Sequence, residues 1–165
     1  MITNEQLKKI FIFQDLEAKE LDQIIKLGSM HHFDAGKVII AEGDAGDCMY
    51  VMCTGEVEVT KRLTMILDKD TPKERLMVRL KAEEGVSFGE MALLENEERS
   101  ATVTAVTDCL LLELKRDDLL QHIFQNSNTG CKILLRLAQL LSRHLRKTNQ
   151  DVVKLTTALA IALGG

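Results

Sequence analysis

Phe88-Gly-Glu-Met-Ala-Leu-Leu-Glu-Asn-Glu-Glu-Arg-Ser-Ala-Thr102 sets a Gly-Glu step before a short apolar helical turn, then a lone Arg followed by Ser-Ala. A turn led by Gly89 can aim several backbone N–H groups at an anion, because helix starts carry unpaired donors and a positive dipole end. Arg99 adds a fixed fork of donors that suits two phosphate oxygens. Glu90, when ionised, has only acceptors; it repels phosphate but accepts hydrogen bonds from a sugar hydroxyl. A carboxylate kept beside a phosphate-binding Arg therefore points to a ligand with both features. The competing reading makes Arg99 an ordinary ion-pair partner of Glu95, Glu97 or Glu98.

Working outward, residues 29–114 carry short alternating or apolar runs: Lys37–Ile40, Cys48–Cys53, Glu56–Thr60, Arg75–Leu80, Ala101–Val106 and Cys109–Leu114. Gly36, Gly43, Gly46, Gly55 and Gly85 punctuate them. Many short strands at near-even spacing indicate a sandwich or barrel rather than a parallel sheet. Asp68–Glu74 holds the only Pro and reads as a solvated hairpin tip. Helical patterns flank this region. Thr3-Asn-Glu-Gln6 has capping-box spacing, with a short helix following to about Phe11, and Leu16–Leu27 is a second helix stopped by Gly28. Arg116–Phe124 reads as one helix, Gln125–Gly130 as a polar break, and the remainder toward Leu163 as a long helix. The expected organisation is one domain: N-terminal helices at 1–28, β-rich 29–114 and C-terminal helices at 115–165.

The long helix repeats apolar residues in heptads. Leu134, Leu141, Thr148 and Leu155 form one series and Ala138, Leu145, Val152 and Leu159 the other. This a/d seam favours pairing between two copies of the helix, while Ile133, Leu137 and Leu140 leave a separate strip to pack on the β region. A parallel homodimer is expected. Thr148 is the polar position of this seam, with either a register or a ligand role.

With 165 residues and 45% apolar content, the chain can bury a real core. A net charge of −4 gives no electrostatic reason for nucleic-acid binding. No signal-peptide pattern or membrane-length apolar run is read, and a soluble, cytoplasmic protein is expected. The four cysteines, Cys48, Cys53, Cys109 and Cys131, make no Cys-x-x-Cys pair and read as buried free thiols. His31 and His32 point to opposite faces of a strand, and His122 and His144 have no partner at metal-ligand spacing, so no metal is assigned.

Two blocks give the chain a resemblance. One is Phe33-x-x-Gly36 through Gly43-x-x-Gly46-Asp47-x-Met49-Tyr50 to Gly55-Glu56-Val57; the other is Phe88–Leu93 followed by Arg99–Thr102. Together they resemble the cyclic nucleotide-binding domain of the catabolite activator protein and protein kinase regulatory-subunit type, over nearly the whole chain. The resemblance implies a mainly β fold with flanking helices, a jelly-roll-like double-stranded β-helix. It implies a ligand of cAMP, with cGMP as the alternative. Glu90 would take the ribose 2′-hydroxyl and Arg99 the cyclic phosphate. Gly89, Met91 and Ala92 would line the sugar and phosphate, with Ser100 donating to the phosphate and Ala101 beside it. Thr148 and Asn149 would reach the purine from the long helix, Asn149 standing where that group has Ser.

Three departures shape the expected output. The chain stops at Gly164-Gly165, where transcription factors of this type continue into a helix-turn-helix, so no DNA binding is expected. The Lys61–Lys81 hairpin is longer and more charged than in the family, either a docking surface or a tolerated insertion. Ser after the Arg resembles the bacterial cAMP-binding group. The leading reading is a non-enzymatic sensor acting on an unidentified downstream protein. The alternative is a dimeric interaction module with an empty pocket. A cupin-type enzyme lacks its His-x-His here, and an iron–sulfur sensor lacks cysteines before residue 48.

Overall fold

A computed structural model describes residues 2–62, 74–95 and 97–163 of the chain. Helix α1 (Asn4–Lys9) begins with the expected capping box: Thr3 Oγ1 accepts from the Gln6 N–H, and the Gln6 side chain accepts from the Thr3 N–H. The helix stops short of Phe11. Ile10 turns to extended backbone and is buried, and a separate 3-10 turn covers Phe11–Phe13. Helix α2 (Ala18–Leu27) starts two residues after the expected Leu16, which is itself buried in the preceding turn.

Eight strands follow in two antiparallel sheets. They are β1 (Ser29–Phe33), β2 (Val38–Ile40), β3 (Cys48–Thr54), β4 (Glu56–Arg62), β5 (Glu74–Lys81), β6 (Ser87–Phe88), β7 (Thr102–Ala105) and β8 (Cys109–Lys115). One sheet has the order β1-β8-β3-β6 and the other β2-β7-β4-β5. The sandwich reading holds, with one strand, β6, too short to show a pattern. β4 and β5 pair from Glu56–Lys81 to Arg62–Glu74; the rest of the expected hairpin tip falls outside the described residues.

The period-2 pattern of β3 decides the layering, because successive side chains point to opposite faces. Cys48, Tyr50 and Met52 face the other sheet and pack with Val57, Phe88, Val103 and Leu111. Met49, Val51 and Cys53 face outward into a second core built with Leu7, Phe13, Ile24, Leu119 and Ile133. The helices therefore cover one sheet, and β3 is walled on both sides. All four cysteines are free; three are buried as expected, but Cys131 is exposed on the long helix.

The C-terminal helices differ from expectation at their junction. α4 (Arg116–Gln125) and α5 (Ser127–Leu163) are separated by Asn126 alone. Residues 127–130, read as part of a polar break, are the first turn of α5. The Asn126 side chain donates to the His122 carbonyl at 3.0 Å, and its own carbonyl accepts from the Gly130 N–H at 2.8 Å. Gly130 is needed there for contact rather than for a break, since a Cβ would lie 2.5 Å from the Ile123 carbonyl oxygen. α5 spans 37 residues, about 55 Å at 1.5 Å per residue. Ile133 and Leu137 sit in the core with Leu140 against it, whereas every residue from Ser142 to Leu163 is exposed. No helix among the described residues is long and apolar enough to cross a membrane.

Candidate functional site

The two sequence blocks meet through backbone hydrogen bonds. The Arg99 N–H donates to the Asp44 carbonyl at 2.7 Å, the Gly43 N–H donates to the Arg99 carbonyl at 3.0 Å, and Ala45 and Glu98 form an antiparallel bridge. This clasp fixes the backbone of Arg99. Its side chain is fixed by β3: Nη1 donates to the Cys48 carbonyl at 2.8 Å and Nη2 to the Cys48 Sγ at 3.2 Å. Burial pushes the Cys48 thiol up from its ordinary pKa, outweighing the neighbouring Arg99, so the sulfur stays neutral. No carboxylate is among the partners of Arg99 in the described residues. Among the described residues, none of the competing ion pairs with Glu95, Glu97 or Glu98 is formed.

Two glycines make room for the guanidinium. A Cβ on Gly46 would lie 3.1 Å from Arg99 Nε and 2.9 Å from the Ala92 Cβ. Gly89 has φ +80°, the left-handed region that favours glycine, and a Cβ there would lie 2.9 Å from Arg99 Nη1. Phe88 anchors this turn by packing on Tyr50, with ring centroids 5.6 Å apart. Helix α3 (Met91–Leu94) follows, its first bonds running from Ala92 N–H to Gly89 and from Leu93 N–H to Glu90. The Glu90 and Met91 N–H groups precede that ladder and have no acceptor among the described residues.

These groups line one cavity of about 410 Å³. Gly89, Glu90, Met91, Ala92, Arg99, Ser100 and Ala101, the cassette residues singled out from sequence, are all brought to it. Val59, Val78, Leu80 and Val103 form an apolar wall from the β2-β7-β4-β5 sheet, and Glu95, Glu97 and Glu98 also border the space. The Glu90 side chain is 13% exposed, and its Oε1 lies 3.9 Å from His144 Nδ1. Chemically this is a chamber with a few placed polar groups: donors for an anion at Arg99 and the turn, an acceptor for a hydroxyl at Glu90, and apolar surface beside them.

Helix α5 reaches the cavity with Leu140 and His144. Thr148 and Asn149, the residues expected to meet a base, lie one turn farther out, exposed and off the cavity wall of this chain. Thr148 follows His144 by four residues and shares its side of α5, so it misses the cavity by its distance along the helix. Phe11 and the valines of the sheet wall carry no local motif, Leu140 reads from sequence only as part of a packing strip and His144 only as a rejected metal ligand, so none of them was expected at the site. Gly46 was visible only as one turn glycine among several. No group of three potential metal ligands occurs among the described residues.

Comparison with known proteins agrees with this geometry. Residues 30–126 match the family "Cyclic nucleotide-binding domain". The chain is 32% identical over 141 residues to glutaminase 2 of Bradyrhizobium diazoefficiens, a match that takes in 86% of this chain and 20% of that protein. The crystal structure of Thermus thermophilus catabolite activator protein superposes with a TM-score of 0.76 at 31% identity, covering 88% of this chain and 62% of that one. A co-crystal structure of the regulatory domain of Toxoplasma gondii PKA with cAMP superposes at 0.61 and 34% identity, covering 71% of this chain and 41% of that one. The chain thus spans between a fifth and about three-fifths of the length of these relatives. With the β-roll, the Gly89 turn and the Arg99 clasp all in place, the chain belongs to the cyclic nucleotide-binding domain family.

Proposed function

We propose that this chain is a non-enzymatic cAMP sensor, one domain in which the ligand biases the position of α5. The observation that carries the reading is the state of Arg99. Its guanidinium is held by the Cys48 and Gly89 carbonyls, with no carboxylate partner among the described residues, beside turn N–H groups that also have no acceptor there. An arginine fixed in this way is suited to a phosphodiester anion, and Glu90 on the same cavity is suited to the ribose 2′-hydroxyl. The purine then lies between the sheet wall and α5. Ser100, as in the bacterial group that the sequence resembles, and the cAMP named with a structural neighbour support cAMP over cGMP.

Ligand control of α5 requires only that cAMP bind one position of the helix more tightly than another. We further propose a parallel homodimer through the outer half of α5, supported by exposed Leu145, Val152, Leu155 and Leu159 at heptad spacing. In such a dimer Thr148 and Asn149 lie at the interhelical seam, where they could be offered to a pocket by either copy. The test is titration calorimetry with cAMP against the wild type and Arg99→Ala. Saturable binding by the wild type that is lost in the variant supports the assignment; equal affinity in both refutes it.

A further inference from the structure

Phe11 lies outside every motif in the chain, yet it lines the same cavity as Arg99 and Glu90. It comes from the 3-10 turn Phe11–Phe13, seventy-seven residues before the cassette begins. Three sets of contacts hold it there. Arg143 of α5 sits over the ring, 4.2 Å from its centroid, and Arg136 lies 5.1 Å away. Arg136 also grips Asp15, Nε to Oδ2 at 2.6 Å and Nη2 to Oδ1 at 2.8 Å, the two-pronged geometry that fixes direction as well as distance. Glu20 takes Lys132 at 2.8 Å and the buried Thr129 hydroxyl at 2.7 Å. On the other side the N-terminal segment rests on the loop before β6, where a Cβ on Gly85 would lie 2.7 Å from the Lys9 carbonyl.

We propose, resting on the cyclic nucleotide reading, that Phe11 is a base-contacting residue: its ring forms the apolar wall opposite Val59, Val78 and Leu80, next to Leu140 and His144. The polar groups for sugar and phosphate are all on the cassette, and what remains of the ligand is a flat heterocycle. The sheet wall facing that remainder is apolar, and on the helical side Phe11 and Leu140 supply apolar surface beside the imidazole of His144. With Arg143 over the ring, the part of Phe11 that lines the cavity offers a base sequence-independent dispersion contact. Because Asp15 and Glu20 tie the segment to α5, the aromatic wall and α5 travel together. A ligand that draws on Phe11 therefore draws α5 with it.

The role is tested with two probes by calorimetry or competition: cAMP, and methyl β-D-ribofuranoside 3′,5′-cyclic phosphate, which keeps sugar and phosphate but has no base. Phe11→Ala is expected to weaken cAMP about tenfold and leave the base-free probe unchanged. Phe11→Tyr should retain cAMP affinity, and Phe11→Leu, which preserves bulk for packing, should fall between. Unchanged cAMP affinity in Phe11→Ala overturns the proposal, and so does an equal loss for both probes, which would mark Phe11 as a packing residue. Should Phe11→Ala fail to fold, Phe11→Leu decides the matter by the same ratio between the two probes. A wild type that binds neither probe refutes the nucleotide reading itself and this role with it; one that binds both equally refutes the base contact alone.

Discussion

The cassette and the outer half of α5 are opposite solutions to the same packing problem. Around Arg99 the chain is so close-fitted that two glycines have no space for a methyl group without displacing the guanidinium or its neighbours. On α5 beyond Ser142, by contrast, Leu145, Val152, Leu155, Leu159 and Leu163 stand between 51% and 78% exposed. The first region has its shape from within one chain. The second spreads apolar side chains along a straight helix face, and contiguous apolar surface of that kind marks an interaction site. Recognition and assembly are therefore expected to separate under mutation.

The largest effect that would sharpen this contrast is at Arg99. Arg99→Ala removes a charged, two-pronged anion contact worth about 3 kcal/mol or more, so cAMP binding should fall below detection while the sedimentation coefficient stays at the wild-type value. A change of assembly state in that variant would break the separation. The complementary change is Leu145→Glu with Leu155→Glu. Each buried leucine on a seam contributes about 1.5–3 kcal/mol, so light scattering should report a monomer in place of the proposed dimer, with the melting temperature of the β-roll nearly unchanged. A wild type that is already monomeric at millimolar concentration rules out the seam.

Smaller effects bear on how each region is tuned. Glu90→Ala should weaken cAMP by about 1.5–3 kcal/mol, the value of one hydrogen bond to a charged group, and should weaken 2′-deoxy-cAMP much less. If both ligands lose equally, Glu90 shapes the turn rather than reading the ribose. The smallest effect concerns the root of α5. A hydrogen bond from Arg136 holds Asp15 below the ordinary carboxylate range. Burial pushes Glu20 up, but hydrogen bonds from Glu17, Lys132 and Thr129 outweigh it and leave it lowered too. Carboxyls whose folded pKa is depressed stabilise the fold above the ordinary carboxylate range, and that contribution is lost as pH falls through their folded values. The melting temperature should therefore drop more on acidification in the wild type than in Asp15→Asn, with circular dichroism as the measurement.

The parts of this molecule that were legible in the sequence are those specified by local pattern. Alternating or apolar runs marked β2, β3, β4, β5, β7 and β8, the Thr3–Gln6 spacing marked the first helix start, and the Gly-Glu and Arg-Ser-Ala steps marked the cassette. β6 escaped because two residues show no period, and its existence depends on Phe88 finding Tyr50 across the sheet. The α4–α5 junction differs from expectation because the polar run Gln125–Gly130 reads as a break, whereas residues 127–130 are the first turn of α5 and Gly130 serves close contact with Ile123. The helical side of the cavity was hidden for a different reason. Leu140, His144 and Thr148 follow one another at four-residue steps on one side of α5, and which of them meets the cavity depends on how the helix is placed along its axis, which Ile133, Leu137 and the Arg136–Asp15 pair set. Those are long-range contacts that no local spacing records. Phe11 reaches the cavity by the same long-range docking.

Strand β3 links the two cores. Six consecutive residues of it, Cys48 to Cys53, are buried, and its first carbonyl holds Arg99 while its alternate side chains support the layer on which α1, α2 and α5 rest. Seen through amide hydrogen exchange, this makes β3 and its partner β8 the slowest-opening unit of the molecule, reporting global unfolding, while β5 and the outer turns of α5 exchange through local opening. A ligand seated on Arg99 stabilises every state in which β3 is intact, so its footprint in protection should extend beyond the cavity into the helical layer on the far side of the sheet.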